Sequence, residues 1–94
     1  MKIIIERWQY KGMAKALVNS KQVGIMTFSL AGPELIIIDH TQVEPELNGK
    51  GLGKKMLFKI VEMARKENIK IIPLCPYASA MFKKTQEIRD VLKV

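Results

Sequence analysis

The sequence contains very few of the residues that metal sites and disulfides require. Its 94 residues include one cysteine, Cys75, and one histidine, His40. A single cysteine excludes an internal disulfide, and no group of Cys and His residues has the spacing of a zinc site, so we predict no bound metal. A lone thiol is typical of proteins in a reducing compartment, and we therefore expect a cytoplasmic location.

Long apolar runs are also missing. The run at residues 3–5 is followed at once by charge, and the next, at residues 35–38, is far shorter than the roughly 20 residues that span a bilayer. We therefore expect no signal peptide and no membrane partner. A chain of this length is too short for a cleft between two separate cores, so we expect one domain over residues 1–94.

Positive charge is abundant by comparison. Lys and Arg number 16 against 9 Asp and Glu, a net charge of +7, and residues 48–67 alone hold six basic and two acidic residues. Such charge suits nucleic acid or a phosphate-bearing ligand. Nucleic acid is the less favoured partner, because the sequence has no helix-turn-helix, no zinc finger and little aromatic interleaving among the lysines.

The hydrophobic pattern predicts a mixed α+β fold. Four strands are predicted, at residues 2–9, 13–19, 23–30 and 35–43. Apolar positions from Leu52 to Ala64 form one stripe of a helix that begins after Gly51 and fades at Glu67. A fifth strand at 69–74 and short helices at 76–84 and 87–92 follow. A strand–helix–strand unit is right-handed, so we expect strands 1–4 antiparallel and strand 5 parallel to strand 4.

Three glycines, Gly49, Gly51 and Gly53, alternate with other residues where the fourth strand leads into the long helix. Glycine lets the backbone approach a ligand closely, and the first N–H groups of a helix point outward at the positive end of its dipole. This geometry binds phosphate, although a plain turn has the same composition. The loop lacks the Gly-Lys-Ser/Thr of a Walker A motif, and the antiparallel strands before it argue against a dinucleotide-binding fingerprint.

The loop and its flanks resemble a known family. The run Leu47-Asn48-Gly49-Lys50-Gly51-Leu52-Gly53 is similar to the acyl-CoA-binding motif of the GNAT (GCN5-related N-acetyltransferase) superfamily, Gln/Arg-x-x-Gly-x-Gly/Ala. His40-Thr41-x-Val43 before it and Cys75-Pro76-Tyr77 after it are similar to the small GNAT-like proteins. The resemblance implies a minimal GNAT fold and acetyl-CoA (coenzyme A) as the cofactor.

The resemblance also implies where the cofactor lies. In this fold strands 4 and 5 splay apart, the pantetheine arm bonds to strand 4, and the pyrophosphate lies on the glycine loop. The expected cofactor-binding residues are Thr41, Val43, Asn48, Gly49, Lys50, Gly51, Gly53, Lys54 and Tyr77. Asn48 departs from the motif's Gln or Arg, and the lysines have the plain alternative of a solvated helix face.

Cys75 and His40 are the candidate catalytic residues. If strands 4 and 5 are neighbours, the two side chains are expected to meet beside the thioester. Two mechanisms stay open: direct attack by an acceptor amine with His40, Asp39 or Glu44 as the base, or prior transfer of the acetyl group to Cys75. Each residue also has a structural alternative, a buried cysteine and a hydrogen-bonded histidine.

These observations predict an acyltransferase that moves an acetyl group from acetyl-CoA to an amine, on a small molecule or a protein. The alternative is a module that binds or senses acyl-CoA without turnover. It is favoured by one departure: the sequence predicts none of the N-terminal helices that help build the acceptor site in larger GNAT enzymes.

Overall fold

The computed structural model describes residues 1–93 and contains a five-stranded sheet. Its strands are β1 (Lys2–Arg7), β2 (Lys11–Val18), β3 (Lys21–Leu30), β4 (Leu35–Val43) and β5 (Lys70–Pro73). The helices are α1 (Leu52–Glu67) and α2 (Pro76–Lys84), with 3-10 segments at Pro45–Leu47 and Gln86–Val91. The strands lie in chain order, β1 to β4 antiparallel and β5 parallel to β4, which confirms the predicted fold. No helix within residues 1–93 is long and apolar enough to cross a membrane.

Several element boundaries differ from the predicted ones. β1 ends at Arg7, two residues early, because the Trp8 N–H donates to the Lys11 carbonyl (2.7 Å) and closes the turn into β2. The 3-10 turn at Pro45–Leu47 was not predicted. The last predicted helix is a 3-10 helix, which buries Ile88 and Val91 against the core.

One face of the sheet is covered by α1. Ala14 and Ala16 on β2 are fully buried, and their small side chains let the helix approach closely. The predicted apolar stripe of α1 is buried in turn. Its buried members are Leu52, Met56, Leu57, Ile60, Val61 and Ala64. We call the side of the sheet that packs against α1 the covered face, and the opposite side the open face.

A β-bulge in β4 changes which residues lie on each face. Phe28 pairs with Ile38 but Thr27 pairs with His40, so Asp39 is an extra residue in β4. Residues directly opposite in antiparallel strands share a face. Ile38 therefore lies on the covered face with Phe28, and His40 lies on the open face with Thr27.

β4 and β5 separate at Ile38, just before the bulge residue Asp39. β5 ends at Pro73, paired with Ile38, and the Leu74 and Cys75 N–H groups both donate to the Ile38 carbonyl (3.1 and 3.0 Å). β4 continues to Val43 with β3 on one side. Within residues 1–93 no strand pairs with the other side of β4 after Ile38, which leaves a gap.

Candidate functional site

The glycine loop has a backbone that only glycine adopts without strain. Gly49 has φ of 84° and Gly51 has φ of 78°, both in the left-handed region. A β-carbon at either residue would meet no atom within 4 Å, so the requirement is conformational and not one of space. The two glycines turn the chain from the 3-10 segment into α1.

This turn leaves backbone N–H groups without partners. The Lys50 N–H donates to the Leu47 carbonyl (3.2 Å) and the Lys55 N–H to the Gly51 carbonyl (3.0 Å). Within residues 1–93, no acceptor is found for the N–H groups of Gly49, Gly51, Leu52, Gly53 and Lys54. The first turn of α1 holds no acidic side chain and Gly51 provides no side-chain cap. Unpaired donors at the positive end of a helix dipole form an anion site.

A cavity of about 720 Å³ lies over the loop and extends to β4. Most of the predicted cofactor-binding residues line it: Thr41, Val43, Asn48, Gly49, Gly51, Gly53, Lys54 and Tyr77. Lys50 is exposed and does not line it. Lining residues that the sequence reading missed are Leu47, Leu52, Met81, Lys84, Thr85 and Glu87. The sequence did carry a signal for two of them: Met81 and Lys84 follow Tyr77 at helical spacing, so they lie on the same side of α2.

Gly53 differs from the other two loop glycines because it packs against Tyr77. A β-carbon on Gly53 would lie 2.7 Å from both Cζ and Oη of that ring. The close contact brings the N-termini of α1 and α2 together. Partial burial raises the pKa of Tyr77 above its usual range, and the nearby Cys75 adds to the rise. The Tyr77 hydroxyl is therefore a protonated donor at neutral pH.

Cys75 is buried at the beginning of α2. Its Sγ accepts the Ala78 N–H (3.4 Å) as the N-cap of the helix and lies 3.3 Å from Thr41 Oγ1. Thr41 is opposite Met26, on the covered face. The partner of Cys75 is therefore Thr41.

The predicted meeting of Cys75 and His40 is not found. The bulge turns His40 to the open face, where its side chain is exposed and has no hydrogen-bond partner among the described residues. Asp39 lies on the same face and accepts a hydrogen bond from Ser29 Oγ (2.8 Å). No cluster of His, Cys, Asp and Glu in the described part of the chain is suited to a metal ion.

Comparison with known proteins relates this arrangement to one family. The model of the GCN5-related N-acetyl-transferase family matches residues 13–91. A GCN5-like protein from Staphylococcus aureus, solved in solution, is similar at 34% identity and a TM-score of 0.71, over 96% of this chain and 87% of that one. No curated protein matches the sequence.

Two larger proteins share the fold at lower identity. A ribosomal-protein-alanine N-acetyltransferase from Brucella melitensis biovar Abortus 2308 has 20% identity and a TM-score of 0.68, over 80% of this chain and 62% of that one. A predicted acetyltransferase from Clostridium acetobutylicum, crystallised with acetyl-CoA, has 21% identity and a TM-score of 0.63, over 80% of this chain and 56% of that one. The chain thus spans less than two thirds of each of these two proteins. Given the family match and the likeness to the S. aureus protein, the chain belongs to the GCN5-related N-acetyltransferase family.

Proposed function

We propose that the protein binds acetyl-CoA in the cavity over the glycine loop and transfers its acetyl group to an amine. The observation that carries this proposal is the set of five unpaired N–H groups, from Gly49 to Lys54, at the wall of a cavity that extends to Thr41. Membership of the acetyltransferase family supports the same conclusion.

The phosphate end of the ligand is assigned to the loop. The N–H groups of Gly49, Gly51 and Gly53 bind phosphate oxygens, and Lys54 adds positive charge at the same wall. Lys54 Nζ lies 5.4 Å from the centre of the Phe58 ring, a cation–π contact with the next turn of α1. Lys50 contributes only long-range charge, because it is exposed and outside the cavity wall.

The pantetheine end is assigned to the gap between β4 and β5. There the backbone of Thr41 to Val43 has an edge without a neighbouring strand, and both residues line the cavity. An unpaired edge offers N–H and C=O groups to an amide-bearing chain in the way a neighbouring strand would. The reacting end then lies near Thr41 and Cys75.

We propose direct transfer as the chemical route. Bound acetyl-CoA supplies an activated thioester; the amine nitrogen forms a bond to the carbonyl carbon while the carbon–sulfur bond breaks. The amine's proton passes to a base at the gap, for which His40 and Asp39 on the open face are the candidates, and Tyr77 is the candidate donor to the departing sulfur. Cys75 is less accessible to the thioester than an amine from solution, because its side chain is buried and hydrogen-bonded to Thr41.

Binding is tested by isothermal titration of acetyl-CoA into wild type, Gly51→Ala and Gly32→Ala. Both glycines have positive φ (119° for Gly32 and 78° for Gly51) and open space around a β-carbon, so both variants strain the backbone, but only Gly51 belongs to the loop. We expect Gly51→Ala to weaken binding about tenfold as the loop relaxes from a left-handed conformation that costs about 1–2 kcal/mol. Gly32→Ala should bind normally. Absence of saturable binding to wild type at millimolar ligand would refute the proposal.

Turnover is tested by following release of CoA with a panel of small amines and peptides. Sustained release is expected in wild type and in Cys75→Ala, with no hydroxylamine-sensitive acetyl group on Cys75 by peptide mass analysis. An acetylated Cys75 together with an inactive Cys75→Ala would establish the covalent route instead. Binding without release for any amine would favour the non-catalytic acyl-CoA module.

A further inference from the structure

A second cavity lies on the open face, outside the acetyl-CoA site. It measures about 630 Å³ and is formed where the β1–β2 turn meets the middle of β3 and β4. Its lining includes Trp8 and Tyr10 from the turn, the cross-strand pair Met13 and Thr27, and Asp39 of β4. We call it the open-face groove.

The two aromatic rings of the groove are unusually exposed. Trp8 is 56% and Tyr10 68% accessible, although large aromatic side chains ordinarily bury most of their surface. The backbone that carries both rings is held in place. The Trp8 backbone N–H donates to the Lys11 carbonyl, the Tyr10 carbonyl accepts the Leu30 N–H (2.8 Å), and the Tyr10 hydroxyl accepts from Gln9 Nε2 (3.2 Å). Exposed rings on an ordered backbone present π-faces to a ligand with little further ordering of the chain.

The carboxylate at the end of the groove has no cationic partner. The chain carries a net charge of +7, yet no Lys, Arg or His nitrogen of residues 1–93 lies within 4.0 Å of Asp39. Among the described residues its one side-chain hydrogen bond is the one that Oδ2 accepts from Ser29, which orients the carboxylate and leaves Oδ1 open. Lys11 also lines the groove but makes no ion pair with it.

We propose that the open-face groove binds the ammonium group of the acceptor amine, with the cation against Trp8 and Tyr10 and its N–H donated to Asp39. Aromatic faces attract cations through the ring quadrupole, and a carboxylate completes the recognition of a primary ammonium. The inference rests on the proposed function in one respect: the bound amine is the acetyl acceptor only if the protein is an acetyltransferase.

The position of the groove agrees with this role. Asp39 is the bulge residue, between Ile38, where β4 and β5 part, and His40. Thr41, on the other face, lines the proposed acetyl-CoA cavity. The gap after Pro73 contains no strand and connects the two faces of the sheet, so an amine held at Asp39 borders the reacting end and a candidate base.

The chain offers a direct probe, because Trp8 is its only tryptophan. Nα-acetyl-lysine amide, which carries a primary ammonium and no other charge, is titrated without acetyl-CoA while Trp8 emission is followed. The control ligand is the same compound acetylated at Nε, which is neutral. We expect a saturable change with the amine and none with the control. Equal responses to both ligands, or no response to either, would overturn the inference.

Charge substitutions test the groove itself. Asp39→Asn keeps the shape and the acceptor for Ser29, and we expect amine binding to weaken about fivefold. Lys11→Gln should tighten it about twofold by removing a nearby positive charge. Glu34→Gln, an exposed site outside the groove, changes the net charge as Asp39→Asn does and should leave binding unchanged. If Asp39→Asn behaves like Glu34→Gln, the groove does not bind the ammonium.

The two proposals fail in different ways. Amine binding at Trp8 without acetyl transfer would refute the proposed activity and leave the groove assignment standing. Acetyl transfer to lysine derivatives that neither perturbs Trp8 nor responds, in its KM for the amine, to Asp39→Asn would refute the groove assignment alone.

Discussion

The two faces of the sheet differ in the kind of side chain they carry and in how deeply those side chains are buried. On the covered face most inward residues of β2 and β3 are small or apolar and nearly inaccessible, such as Ala14, Ala16, Met26 and Phe28. On the open face Lys15 pairs with Glu6 (2.9 Å) and Ser29 with Asp39, and most residues are half-buried. The covered face therefore carries the stability of the fold, and side chains on the open face are comparatively free to serve another purpose.

The bulge at Asp39 determines which residues of β4 lie on each face. It moves Thr41 and Val43 to the covered face, beside the cavity, and directs Asp39 and His40 to the open one. One extra residue in β4 thus divides the candidate site between two sides of the sheet.

The sharpest test of the comparison is a pair of neighbours on β4. Ile38 is fully buried on the covered face and Ile37 half-buried on the open face. We expect Ile38→Ala to lower the free energy of unfolding by about 4 kcal/mol, since it leaves a cavity, and Ile37→Ala by about 1 kcal/mol. Urea denaturation with linear extrapolation measures both. Equal losses would show that the open face also carries the core.

A smaller effect is expected at the contact between the two helix N-termini. Gly53→Ala forces the Tyr77 ring away and should cost about 2 kcal/mol of stability as an overpacked contact, with weaker acetyl-CoA binding. Adding Tyr77→Ala should recover most of that stability, because the clash is then gone. A double variant no more stable than Gly53→Ala alone would assign the cost to the backbone of α1.

The threonines of the two faces form a third comparison. Thr41→Val removes the hydroxyl beside Cys75 Sγ, and we expect a loss of about 1 kcal/mol. Thr27→Val, on the open face, should change stability by less than about 0.5 kcal/mol. Thermal unfolding of both variants provides the measurement. A larger loss at Thr27 would contradict the division of the faces.

The smallest effect concerns the exposed Arg65–Asp90 pair, which ties the second 3-10 segment to α1 through two hydrogen bonds (2.8 and 2.7 Å). The hydrogen bond from Arg65 holds the pKa of Asp90 below its usual range, and burial opposes the shift only in part. The lowered pKa means that the pair stabilises the fold above the pKa of an unfolded aspartate and loses this effect as pH falls through the folded value. Asp90→Asn should therefore unfold slightly earlier than wild type at pH 7, and equally at pH 2. A difference that persists at pH 2 would show that charge is not its origin.

The sequence was sufficient for features that depend on neighbouring residues. Strand alternation, the apolar stripe of α1 and the glycine loop are local patterns. The five strands, the two α-helices and the sheet order are as predicted, whereas several boundaries and the 3-10 segments are not. The acetyl-CoA assignment of the loop stays a prediction.

What the sequence did not predict depends on residues far apart in the chain. The Gly53–Tyr77 contact and the Thr41–Cys75 pair are set by how α2 packs, which no local pattern records. The bulge left one weak signal, the adjacent polar residues Asp39 and His40 after four apolar ones, and missing it led to the expectation that Cys75 and His40 would meet.

The last described residues also determine how this sheet can associate. Leu92 forms a parallel bridge to Ile71, and the Lys93 N–H donates to the Ile71 carbonyl (2.9 Å), so the outer edge of β5 is occupied. Within residues 1–93 the one outer edge left is β1, which carries Lys2, Glu6 and Arg7. A strand added to the outside of this sheet would therefore pair with β1, because the other unpaired edge, β4 beyond Ile38, faces the gap.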